Sequence, residues 1–115
     1  MKTIIAGSRE GVTFKDVLTA IRDCGWKLTG VVSGTALGAD TEGEKAAKLL
    51  GIPVHRFPAN WEKYGRAAGP IRNREMAENA EALIAVWDGV SRGTKNMIEE
   101  AKARNLAVYI HYIQK

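Results

Sequence analysis

Two patterns of apolar and polar positions alternate along this chain: short unbroken apolar runs, and stretches with a single apolar face at helical spacing. Residues 2–6 form an apolar run closed by Gly7, the pattern of a strand covered on both faces. Phe14, Val17, Leu18, Ile21 and Cys24 then fall on one helical face. Thr13 with Asp16 three residues on forms a capping box ahead of that helix, and Gly25 supplies a left-handed residue behind it. Residues 29–33 predict a second strand, running into Gly34-Thr35-Ala36-Leu37-Gly38-Ala39-Asp40. Asp40 is expected to cap the second helix, in which Ala46, Ala47 and Leu50 share a face before Gly51 and Pro53 stop it.

Residues 54–57 predict a third strand. Residues 58–69 show no helical or strand period, and a loop of that length in a compact domain tends to be functional. Pro70 is expected at the first position of a helix over about 71–79. A fourth strand follows at 82–87, then a turn over 88–94 into a helix containing Met97, Ile98 and Ala101. Asn105 ends that helix, and residues 107–111 make the last strand.

Strands alternating with helices call for an α/β fold: one mostly parallel five-stranded sheet, helices on both faces, right-handed crossovers. The expected strand order is 3-2-1-4-5, in a single domain over 1–115. In such a sheet every strand-to-helix turn meets on the rim at the strands' carboxyl ends. Ligands bind there where strand order reverses, between the first and fourth strands.

Composition narrows the class only a little. At 115 residues, 45% hydrophobic and 26% charged, the chain has the balance of an ordinary soluble domain. Its net charge of +4 favours phosphate-bearing ligands weakly. With no obvious basic helix as well, it argues against nucleic acid as the partner. Cys24 is the single cysteine and reads as core, so no internal disulfide is available. No signal peptide or membrane span is evident, and a cytoplasmic protein is expected. His55 and His111 lack acidic or cysteine neighbours at ligand spacing, so no metal site is expected. The glycine fingerprint of dinucleotide folds and the Walker lysine loop are both missing.

The rim chemistry nevertheless suits an anion. Gly93-Thr94 sits at a helix start, where unpaired amides and the helix dipole attract phosphate, with Arg92 and Lys95 beside it. A glycine turn with a threonine cap and no ligand would read the same way. Arg72 and Arg74 lie in the first turn of a helix, where the dipole disfavours cations, so an anion between them and the amides is expected. Trp61 and Tyr64 either pin the long segment to the body or offer a ring on which a base stacks.

Ile5-Ala6-Gly7-Ser8-Arg9, Ser33-Gly34-Thr35-Ala36-Leu37-Gly38-Ala39-Asp40, Pro58-Ala59-Asn60-Trp61, Gly65-Arg66-Ala67-Ala68-Gly69-Pro70-Ile71-Arg72-Asn73-Arg74-Glu75-Met76 and Gly89-Val90-Ser91-Arg92-Gly93-Thr94 together resemble the YspA-like branch of the SLOG superfamily. Its members are Rossmann-like proteins related to DprA and to the LOG enzymes. The resemblance spans essentially the whole chain, and it implies a Rossmann-like three-layer sandwich and a nucleotide or nucleotide-derivative ligand, with no other cofactor. Gly93-Thr94 matches the phosphate-binding Gly-Thr of LOG enzymes. With the rim chemistry, the phosphate is expected on Gly93 and Thr94, the base toward Trp61, and Gly7, Ser8, Arg9, Ser33, Gly34, Gly38, Asp40, Arg72, Asn73, Arg74 and Arg92 around them. LOG enzymes cleave nucleoside 5′-monophosphates with two glutamates after the Gly-Thr pair. Here those positions hold Asn96 and Met97, which places that activity in doubt unless Asp40 or Glu75 supplies the acid. The expected function is therefore a nucleotide-binding sensor or handling protein. A relocated-acid phosphoribohydrolase is the alternative and a DprA-like DNA-binding module the third reading. Superfamily relatives often dimerise, so a homo-oligomer is implied, although the sequence marks no interface.

Overall fold

A computed structural model describes residues 1–114. The strands are β1 (Lys2–Gly7), β2 (Gly30–Ser33), β3 (Val54–Arg56), β4 (Ala82–Trp87) and β5 (Ala107–Tyr112). The helices are α1 (Phe14–Asp23), α2 (Ala39–Leu50), α3 (Trp61–Tyr64), α4 (Ala68–Glu78) and α5 (Arg92–Ala103), with a 3₁₀ turn at Gly65–Ala67 between α3 and α4. The sheet has the order β3-β2-β1-β4-β5 and every pairing is parallel. This is the α/β, Rossmann-like layering expected from the alternation of elements.

The apolar runs of β1 and β4 are continuous because both strands are central and covered on both faces. Ile5, Ile84 and Val86 point into one core with Val17, Ala20 and Ala46 of α1 and α2. Ile4, Leu83 and Ala85 point into the other with Met76 of α4 and Met97 and Ile98 of α5. Burying a Leu or Ile side chain stabilises the fold by roughly 1.5–3 kcal/mol, so these two layers fix where the sheet's rim falls. Cys24 lies in the α1 layer, its thiol donating to the Ile21 carbonyl. His55 is exposed on the edge strand β3, and His111 lies 3.3 Å from Asp16.

Local signals explain most boundaries. The Thr13–Asp16 capping box forms, and Gly25 and Gly51 both follow their helices with positive φ. Three expectations are corrected. Asp40 does not cap α2. Gly38 does, and Asp40 is the second helical residue, buried rather than exposed at a cap. The segment 58–69 is not a long irregular loop. Asn60 caps the single turn of α3 by accepting from the Lys63 amide at 3.1 Å, and the chain then passes through the 3₁₀ turn into α4. Pro70 is the third residue of α4, not the first. It is tolerated there because none of a helix's first four amides has an internal partner.

Candidate functional site

At the switch point between β1 and β4 a cavity of about 620 Å³ opens on the rim. That size falls within the roughly 300–1,000 Å³ of small-molecule sites. Three of its walls are the turns after β1, β2 and β4 expected to meet there, and the other is a face of α4.

The first wall is the turn after β1. A Cβ on Gly7 would stand 1.9 Å from the Val86 carbonyl oxygen, so glycine is what allows β1 and β4 to end in contact. Ser8 is buried, and its hydroxyl accepts the Asp88 amide at 3.0 Å while lying 3.3 Å from Ser91 Oγ. The turns after β1 and β4 are thereby locked together, and Arg9 is left exposed at the mouth.

The second wall is the start of α5. Asp88 Oδ1 accepts the Val90 and Ser91 amides at 2.9 and 2.8 Å, and both its oxygens accept from Ser91 Oγ. The helical ladder begins with the Lys95 amide on the Ser91 carbonyl at 3.1 Å. The amides of Arg92, Gly93 and Thr94 precede that ladder at the positive end of the helix dipole. Nothing lies within 4 Å of a Cβ built on Gly93, so no packing against another element requires glycine there.

The third wall is α4. Gly69, Arg72, Asn73 and Met76 share the face that lines the cavity. Arg72 donates from Nε to Asn73 Oδ1 at 3.0 Å and from Nη1 to the Gly34 carbonyl. Among the described residues nothing bonds its Nη2. Arg72 itself is one of the residues that line the cavity. Burial draws the Arg72 pKa down and the Arg9 charge adds to this, while Asp40 opposes both. An arginine so placed remains protonated. Asn73 is buried and donates to Asn96 Oδ1 at 2.9 Å and to the Gly93 carbonyl at 3.3 Å, fixing α4 against the start of α5.

The fourth wall is the turn after β2, where Ala36 and Asp40 reach the cavity. Asp40 is 5% exposed and its Oδ2 accepts the Ala36 amide at 3.1 Å. Burial raises its pKa from 3.8 to about 6, against the lowering influence of the Ala36 hydrogen bond and the Arg72 charge. Trp61 stands on the rim, 51% exposed, with its ring 3.5 Å from where a Gly69 Cβ would be. Tyr64 is not among the lining residues, and Lys63 Nζ lies 5.1 Å from the centre of its ring.

Of the residues singled out from sequence, the cavity is lined by Gly7, Ser8, Arg9, Asp40, Trp61, Arg72, Asn73, Arg92, Gly93 and Thr94. The others lie elsewhere. Ser33 is buried behind the wall and donates to Glu44 Oε2 at 2.7 Å. Gly34 faces Arg72 and Asp40 rather than open space, and Gly38 packs on the first turn, where a Cβ would be 2.3 Å from the Ser8 carbonyl oxygen. Arg74 points out, 4.0 Å from Glu100, and Glu75 is exposed beside it. At about 100° per residue, both lie round the helix from the face carrying Arg72 and Met76.

Glu10, Ala36, Arg66, Asp88, Ser91 and Asn96 also line the cavity, and the sequence alone does not single them out as binding residues. Asn96, noted only for replacing a glutamate, holds Asn73. Met97 is 1% exposed and Glu100 pairs with Arg104 at 2.6 Å. No acid therefore stands where LOG enzymes place theirs. Among the described residues no group of three or more His, Cys, Asp or Glu is arranged to hold a metal, and no helix is long and apolar enough to cross a membrane.

The fold is that of a known protein. The chain is similar to DNA processing protein A (DprA) from Streptococcus pneumoniae, with a TM-score of 0.75 and 22% sequence identity over 95% of this chain. It spans about half of that protein, 49% of its length. At this identity the likeness bears on fold alone. No protein-family model matches the chain, and no curated protein matches it either.

Proposed function

We propose that this chain binds a nucleotide in the rim cavity, its phosphate on the amides of Arg92, Gly93 and Thr94 and its base toward Trp61. The observation that supports this reading is that Arg92, Gly93 and Thr94 at the start of α5 and Arg72 of α4 line one cavity. Arg9, Arg66 and Arg92 add charge around the mouth, which strengthens attraction to a phosphate and leaves it sensitive to salt. The resemblance of the turn sequences to YspA-like SLOG proteins supports the same ligand class. At ~0.3 kcal/mol per heavy atom, a mononucleotide of about two dozen atoms would gain ~7 kcal/mol, a micromolar affinity.

The likeness to a DNA processing protein favours a second reading, in which the occupant is one nucleotide of a DNA strand. It weighs against excluding nucleic acid on net charge alone, since the mouth gathers Arg9, Arg66 and Arg92 within a chain of only +4. An exposed tryptophan beside arginines is also how sequence-tolerant single-strand sites are built.

Calorimetric titration with nucleoside mono-, di- and triphosphates and with single-stranded oligodeoxynucleotides separates the readings. Micromolar binding of a free nucleotide supports the first. Binding of the oligonucleotide alone, falling steeply with salt, supports the second. No heat from either at millimolar ligand rejects both.

A further inference from the structure

The cavity is cationic, yet it keeps one deeply buried carboxyl. Glu10 is exposed at the mouth and Asp88 is engaged by the amides and hydroxyl of its own turn. Asp40 is different: it is 5% exposed and belongs to the cavity wall. Its ordinary task is to hold the turn after β2 through the Ala36 amide. A neutral asparagine oxygen would do that without burying a charge. Arg72 does not neutralise the carboxylate by direct pairing, because its Nε and Nη1 are given to Asn73 and Gly34.

A carboxylate facing a phosphate repels it, whereas one facing hydroxyl groups accepts charge-assisted hydrogen bonds from them. It has about four lone-pair sites, so the one backbone donor from Ala36 leaves room for ligand donors. With the phosphate at the α5 amides as proposed above, the part of the ligand that suits Asp40 is one that carries hydrogen-bond donors. In a nucleotide the donors that lie next to the phosphate along the molecule are the sugar hydroxyls. We propose that Asp40 accepts hydrogen bonds from these hydroxyls, so that the cavity selects a ribonucleotide with a free 2′,3′-diol over its deoxy counterparts. This rests on the nucleotide reading above and sharpens it into a substrate class.

The test is calorimetric titration of the intact chain at pH 7.5 with the four ribonucleoside 5′-monophosphates and with their 2′-deoxy and 3′-deoxy counterparts. A hydrogen bond to a charged group corresponds to a preference of roughly 10- to 100-fold for the ribonucleotide, and Asp40→Asn should shrink it to a few-fold. The deoxy arms use the unaltered chain, so they decide the matter even if Asp40→Asn does not fold. Equal affinity for ribo and deoxy compounds overturns this proposal and leaves the nucleotide reading standing. A preference that survives intact in folded Asp40→Asn overturns the assignment to Asp40. Failure of every monophosphate to bind overturns the nucleotide reading and this inference together.

Discussion

Arg72 lies across Gly34: its Nη1 donates to the Gly34 carbonyl, and a Cβ on residue 34 would come within 2.6 Å of that same nitrogen. Asp40 Oδ2 presses on the same point from 2.8 Å. The absence of a side chain at position 34 is therefore what lets the guanidinium and the buried carboxyl share one wall of the cavity. Gly34→Ala should destabilise the fold by about 1–3 kcal/mol, the usual range for overpacking, and should weaken nucleotide binding by displacing Arg72. Urea denaturation and titration of the variant check both effects. An unchanged midpoint with unchanged affinity would show that Arg72 is not held there.

Arg72 and Arg74 are two residues apart and should behave oppositely. Only Arg72 reaches the cavity, while Arg74 is solvated near Glu100. Arg72→Gln is expected to weaken nucleotide binding at least tenfold, the range of about 1.5–3 kcal/mol for a hydrogen bond to a charged group. Arg74→Gln should leave affinity within about twofold, in line with the small worth of exposed charges. Titration of the two variants side by side gives the comparison.

Stability should carry the signature of Asp40. Its folded pKa of about 6 lies above the ordinary 3.8 because burial disfavours the charged form. For an acid raised on folding, the native state binds the extra proton, so stability falls as pH rises through this window. The full cost, about 3 kcal/mol at ~1.4 kcal/mol per pKa unit, is present above pH 6 and absent below about pH 4. Asp40→Asn should therefore gain on the native chain by about that amount between pH 4 and 7. Denaturation curves across that range measure it, and a difference that stays flat with pH would contradict it.

The layers and strand order were legible because the apolar runs at β1 and β4 differ so plainly from the helical stripes between them, and because strand-to-helix turns of a parallel sheet share one edge. The segment 58–69 was not legible. The single turn of α3 is too short to show a period, and α4 buries Asn73 beside Ala68, Met76 and Ala77, which breaks its apolar stripe. Glycine was informative about place and misleading about purpose. Gly93 opens toward the cavity, whereas Gly34 and Gly38 make room for Arg72 and for the Ser8 and Arg9 backbone. Asp40 illustrates a further limit. An acid after a glycine at a helix start reads as a cap, and only the packing shows it turned inward.

The account stands on an anion at the start of α5, and amide chemical shifts report on that directly. In ¹⁵N-labelled protein titrated with a ribonucleoside 5′-monophosphate, the largest and saturable shifts are predicted at the Arg92, Gly93 and Thr94 amides, with the Arg72 Nε resonance moving on the same curve. Shifts that avoid these groups, or none at ~10 mM nucleotide, well above the micromolar affinity expected, would contradict it.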